Sequence, residues 1–125
     1  MPIKILIFTK RLPSLSPAEY KDYYENHHMP LINRISGGET AFVSHTRNYI
    51  PQNPDTQTPQ LIMGSKPLDF DCVTEVVYRD QEHLQAQMAK IGTEENTRLR
   101  EEDEDKFIEK GSVRVVMVES VGEKL

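Results

Sequence analysis

Apolar positions along the chain fall into strand-like runs separated by helical stripes. Residues Ile3 to Lys10 (IKILIFTK) place Ile3, Ile5 and Ile7 on one face and Leu6 and Phe8 on the other, the pattern of a strand covered on both sides. A loop with Pro13 follows. Ser16-Pro17-Ala18-Glu19 then marks a helix start, with a serine cap, proline at the first helical position and a glutamate that closes a capping box. Tyr20, Tyr24, His27 or His28, Leu31 and Ile35 recur at spacings of three and four, so they share one helix face. Pro30 falls inside this stripe and predicts a kink or a break near Met29. Gly37-Gly38 ends the element. Phe42 to Ile50, Asp71 to Arg79 and Ser112 to Ser120 read as three more strands. Before the last of them, Asp80 caps a helix through Ile91 with Leu84, Met88 and Ile91 on one face. Gly92 breaks it, and Thr93 caps another helix expected to carry Leu99, Phe107 and Ile108.

The order β-α-β-β-α-β, with its second helical region split, predicts an α+β fold of the ferredoxin-like type. Such a fold has a four-stranded antiparallel sheet with helices on one face. The other face needs a partner, because the first and last strands carry apolar residues on both sides: Val116 and Val118 oppose Val113, Val115 and Met117. A homodimer packing two sheets face to face is the expectation. Residues 1–125 read as a single domain with an inserted loop at 51–69. That loop holds Pro51, Pro54, Pro59 and Pro67 and a small apolar cluster, Leu61-Ile62-Met63. Such a long irregular stretch suggests a lid, a dimer arm or disorder.

Charge narrows the class. With 15 Lys and Arg against 20 Asp and Glu, the net charge of -5 argues against a general nucleic-acid binder. No apolar run reaches the roughly 20 residues of a membrane span, so no membrane partner is expected. Met1-Pro2-Ile3-Lys4 leads straight into a strand, without the pattern of a secretory signal. The single cysteine, Cys72, has no partner within the chain and reads as a buried, inert thiol in a reducing, cytoplasmic setting.

His27-His28 is the most informative pair. A histidine beside Tyr20 and Tyr24, facing a cleft, moves protons near neutral pH. The plainer alternative is that one imidazole meets solvent and the other caps carbonyls freed by Pro30. On the second strand, His45, Arg47 and Tyr49 alternate onto one face. On the third, Glu75 and Arg79 oppose Thr74, Val76 and Tyr78. Such groups line a cavity, or else face solvent and pair across strands. No metal site is expected, because adjacent histidines on a helix point about 100° apart. Glu101 to Asp105 reads as a solvated acidic face. Phosphate-binding loops and nucleophile elbows are absent from the sequence.

The run Ser16-Pro17-Ala18-Glu19-Tyr20-Lys21-Asp22-Tyr23-Tyr24-Glu25-Asn26-His27-His28-Met29-Pro30-Leu31 resembles the signature of the EthD family. His28, Pro30 and Leu31 match its His-x-Pro-Leu. Tyr20 stands where Phe is usual, Tyr24 where Trp is usual, and His27 where Arg is common. The last change removes a fixed positive charge. The resemblance implies a dimeric α/β barrel and a small enzyme that needs no cofactor. It also implies tailoring of aromatic polyketides of secondary metabolism, with decarboxylation of a β-keto acid similar to atrochrysone carboxylic acid first among the reactions. Alternatives within the same chemistry are a dehydratase or cyclase and an anthrone-type monooxygenase; a non-catalytic ligand carrier is the third class. The expected catalytic residues are His28 as general acid/base, with Tyr24 and Tyr78. The expected substrate contacts are Tyr20, His27, His45, Arg47, Tyr49 and Glu75, with Arg47 orienting the carboxylate.

Overall fold

A computed structural model describes residues 1–122. The strands are β1 (Ile3–Thr9), β2 (Ser44–Tyr49), β3 (Cys72–Tyr78) and β4 (Arg114–Val118), all antiparallel in the order β2-β3-β1-β4. Each lies within the run its pattern predicts and stops at most two residues short of either end. The helices α1 (Pro17–Tyr23), α2 (Met29–Ser36), α3 (Gln81–Ile91) and α4 (Glu94–Glu104) cover one face. This is the ferredoxin-like arrangement.

Local chemistry sets the helix ends. Ser16 Oγ accepts from Glu19 N at 3.1 Å, and Glu19 Oε1 accepts from Ser16 N at 2.9 Å, which closes the capping box. Asp80 and Thr93 cap α3 and α4 through His83 N and Asn96 N. Gly37 ends α2 in the left-handed region at φ 95°, a conformation that favours glycine. Pro30 does not break the helix. The chain widens into one π-helical stretch over Tyr24–His28, where Met29 N–H reaches back to Tyr24 O, and Pro30 sits in the first turn of α2. Its missing N–H is harmless there.

The second helical region departs from its prediction. α4 stops at Glu104, and Phe107 and Ile108 lie beyond it in a turn held by N–H bonds to Glu104 O. Both are nonetheless core residues, packed with Tyr20, Tyr24, Met29 and Cys72. Leaving the helix lets Phe107 lie against four aromatic rings and lets Ile108 bridge to Arg11.

Strand register sorts every side chain to a face. The rows His45–Val76–Ile5–Met117 and Arg47–Thr74–Ile7–Val115 point toward the helices. Thr46–Glu75–Leu6–Val116 point away, on the side where Phe8 also packs edge-on against Phe70. The 51–69 loop is folded rather than featureless. Gln52 bridges Pro59, Asn53 Oδ1 accepts from Asp55 N and Thr56 N, and Arg11 donates to Gln57 O at 2.8 Å. Among the described residues no helix is long and apolar enough to cross a membrane.

Candidate functional site

A cavity of about 290 Å³ lies between the sheet and the helices. Its floor is Ile5, Ile7, Thr9, Val76, Tyr78 and Val115 from the sheet, with His45 at one side. Its roof comes from Tyr24, His28, Ile32 and Ser36, and its far wall from α3 and α4 through Gln87, Met88, Ile91, Arg100 and Glu104. Its accessible lining is mostly apolar, with polar side chains set into it, which is the usual form of a small-molecule site.

His28 is the best-positioned proton carrier in it. The π-helical stretch carries Tyr24 and His28 on the inward side, both buried, while His27 faces out. His28 Nδ1 donates to Asp103 Oδ2 at 2.8 Å, and Tyr23 Oη donates to Asp103 Oδ1 at 2.6 Å. With Nδ1 committed to the aspartate, Nε2 carries the lone pair. Burial pushes the His28 pKa below the usual histidine value; Asp103 opposes this, and Arg100 adds to it. The imidazole is therefore neutral at pH 7 and its Nε2 is a base. Phe107 lies 4.9 Å from the imidazole, ring to ring, and holds it from one side.

Asp103 was hidden in the acidic run. The expected solvated face holds for Glu101, Glu102 and Asp105, whereas Asp103 and Glu104 turn inward, and Glu104 pairs with Arg100 at 3.2 Å. Burial raises the Glu104 pKa, against the pull of Arg100. The signal available beforehand was spacing, since Leu99, Asp103 and Phe107 stand four apart and mark the inward stripe.

The other expected residues divide into two groups. Tyr24, Tyr78 and His45 line the cavity with His28. Tyr24 Oη shares a hydrogen bond with Thr74 Oγ1 at 2.9 Å, and burial pushes its pKa up. Tyr78 is packed edge-on to Phe42 and His83, and its hydroxyl bonds to no described residue. Arg47 Nη1 donates to His45 Nδ1 at 2.9 Å, which leaves the His45 proton on Nε2. Burial, then Arg47 and His28, push the His45 pKa down to about 4.

The remaining residues lie elsewhere. Arg47 has its fork filled by Glu25, at 2.9 and 2.8 Å, so it is not free to orient a carboxylate. Tyr49 Oη donates to the same Glu25 at 2.5 Å. Tyr20 is buried with its hydroxyl on Thr9, and with Tyr49 it borders a separate surface depression beside Lys21. His27 is exposed and stacks on Tyr23 at 4.8 Å, ring to ring. Glu75 is on the far face of the sheet, 3.4 Å from Lys4 Nζ. No residue of the 51–69 loop lines the cavity; Ile62 and Met63 are exposed, and Leu61 borders a groove beside Lys10. Cys72 is buried, and burial pushes its thiol pKa up to about 11.

The profile of the EthD domain matches residues 12–111, which contain His28, Asp103 and most of the cavity wall. An EthD family protein from Bacillus halodurans is 21% identical, with a TM-score of 0.59 over 97% of this chain and 100% of that one. An EthD-like protein from Ralstonia eutropha is 16% identical, with a TM-score of 0.63 over 98% and 95%. A dimeric Bacteroides fragilis protein of unknown function and ferredoxin-like fold is 10% identical, with a TM-score of 0.53 over 95% and 96%. These structures share the fold. No curated protein sequence matches the chain.

Proposed function

The chain belongs to the EthD family, and from that premise we propose that its helix–sheet cavity is the active site of a cofactor-independent lyase. The substrate is an aromatic polyketide β-keto acid and the reaction is decarboxylation. The observation that carries this reading is the buried His28, its Nδ1 held by Asp103 at 2.8 Å, in the wall of a largely apolar cavity. In such surroundings the bound acid keeps its proton. His28 Nε2 takes that proton as the C–C bond to the carboxyl breaks and carbon dioxide leaves. The electron pair passes into the enolate, Asp103 stabilises the imidazolium, and the imidazolium returns the proton to the enolate carbon. The tyrosine hydroxyl nearest the developing oxyanion, on Tyr24 or Tyr78, supplies a hydrogen bond to it. Removal of water or ring closure would use the same base.

The same base in the same apolar cavity also favours a second reading, proton abstraction from an anthrone followed by reaction with oxygen. Product analysis separates them. The purified protein is incubated without added cofactor with an anthraquinone-type β-keto acid, aerobically and anaerobically, beside a control without enzyme. Carbon dioxide loss that persists without oxygen supports the lyase. Strictly oxygen-dependent product replaces it with a monooxygenase, and saturable binding without turnover replaces both with a ligand carrier. His28→Ala is expected to reduce turnover by about 10²-fold or more. Asp103→Asn, which frees the tautomer, is expected to cost a similar order. Full activity in a folded His28→Ala protein removes His28 from the mechanism.

We further propose that the chain works as a homodimer, joined through the sheet face that the helices leave bare. Leu6, Phe8, Val73, Val116 and Val118 supply its apolar contact.

A further inference from the structure

Two imidazole nitrogens in the cavity wall are unpaired and accessible. His28 Nε2 and His45 Nε2 make no hydrogen bond among the described residues, and neither is sealed away; the sealed, unpaired side-chain atoms are Arg11 Nε, Gln52 Oε1, Gln87 Oε1 and Arg100 Nε. The two rings stand close enough for His28 to lower the proton affinity of His45. His45 lies on β2 in the row that points toward the helices, level with Val76 and Ile5, and the Phe42 ring packs 5.1 Å from it. Arg47 grips it twice, since Nη1 donates to His45 Nδ1 at 2.9 Å and to His45 O at 2.7 Å. A guanidinium has donors only, so Nδ1 has to accept and the ring proton sits on Nε2. Arg47 is itself held by Glu25 through Nε and Nη2, at 2.9 and 2.8 Å. A fixed chain of bonds therefore orients the His45 N–H, whereas the Tyr78 hydroxyl is a free rotor.

We infer that His45 is a catalytic residue of this cavity and Arg47 its positioning residue: the Nε2–H of His45 bonds the substrate's carbonyl oxygen and holds it while enolate charge builds there. This rests on the proposed reading of the cavity as the site where His28 takes a proton, and it adds the group that meets the negative end. The electron pair released at carbon passes to that oxygen, His45 keeps its proton throughout, and the bond strengthens as the oxygen becomes anionic. Burial, Arg47 and His28 outweigh Glu25 and keep His45 uncharged down to about pH 4. An uncharged imidazole polarises a carbonyl without giving up its proton. Arg47, its fork filled by Glu25, thus acts on the substrate through His45.

The test pairs a spectrum with a rate. Protein with isotope-labelled histidines is titrated by NMR with acetophenone, a ring ketone whose oxygen can only accept. In the free wild type the His45 proton is expected on Nε2, and Arg47→Met is expected to release the second tautomer. Acetophenone shifts the His45 Nε2–H resonance, and His45→Phe weakens its binding about fivefold. With the anthraquinone-type β-keto acid, His45→Phe lowers kcat by about 10²-fold while KM stays within about threefold. His45→Gln, which returns an N–H to nearly the same place, recovers about tenfold of that loss. A His45 proton on Nδ1, acetophenone bound with the His45 resonance unmoved, or an unchanged kcat in His45→Phe overturns the inference and leaves the lyase reading with Tyr24 or Tyr78. Acetophenone bonded to His45 in a wild type that turns over no β-keto acid supports the donor while the lyase reading falls. Failure of acetophenone to shift either histidine at millimolar concentration overturns the donor, and turnover then decides the lyase reading alone. The wild-type spectrum reads the donor without any variant, so a poorly folded one does not shelter the inference.

Discussion

His28 and His45 line one cavity, yet their ring nitrogens are committed in opposite senses. His28 donates from Nδ1 to a carboxylate, whereas His45 accepts at Nδ1 from a guanidinium. The first exposes a lone pair and the second an N–H, so one is suited to take a proton and the other to hold an oxygen. Both pKa values are pushed below the ordinary histidine value of 6.5, so the acid limb of turnover is expected below that pH. His45 also makes stability depend on pH. Below 6.5 the unfolded chain takes up a proton that folded His45 refuses until about 4, so the unfolded state binds more protons in that window. Stability is unaffected by this group above 6.5, falls as pH drops toward 4, and stops falling from this source below it. With partial exposure discounted, the loss by pH 4 is about 2 kcal/mol. Urea unfolding between about pH 6.5 and 5, above the range where Glu25 gains its proton, is expected to fall for the wild type and to stay flatter for His45→Gln.

At the level of elements, the π-helical stretch matters most. It takes up Pro30 without a break and keeps Tyr24 and His28 on the buried side. It is tied to the sheet edge by Glu25, which accepts two bonds from Arg47 and one from Tyr49 of β2. Arg47 draws the Glu25 pKa down to about 2, with Tyr49 helping. A double-mutant cycle of Glu25→Gln and Arg47→Met is expected to give a coupling of about 1–2 kcal/mol, because the pair is bidentate and only partly exposed. Additive effects in urea unfolding would show that the link contributes nothing. The helix start at Ser16, the stop at Gly37 and the caps at Asp80 and Thr93 were legible in the sequence, since each involves groups within a few residues. The end of α4 was not. A helical spacing of four runs on through Phe107, but the chain leaves the helix at Glu104 to place that ring among Tyr20, Tyr23, Tyr24 and His28.

For the whole molecule, the bare sheet face is the feature that asks for a second copy. Val116, midway along the edge strand β4, is 43% exposed on this face, level with Leu6 and Glu75 in the register. A charge there faces an apolar partner in a dimer and only solvent in a monomer. Val116→Asp is therefore expected to convert a dimer to a folded monomer in sedimentation analysis, with the helical signal retained. A wild-type protein that sediments as a monomer would remove the dimer.

The sequence by itself determined the order of elements, their caps, the ferredoxin-like class and the histidine-bearing motif. All of these follow from periodicity and from groups close together in the chain. It also placed His45, Arg47 and Tyr49 on one face, because a strand alternates strictly. What only the tertiary structure decided is which groups meet. Asp103 reaches His28 across 75 positions, and Glu25 fills the fork of Arg47 across 22. Glu75 turns to the far face because strand alternation fixes that two faces exist, while helix packing chooses which of them is covered. Gln87 and Arg100 join the site for the same reason: a polar residue on a helix declares its chemistry in the sequence, and only the packing of α3 and α4 aims it inward.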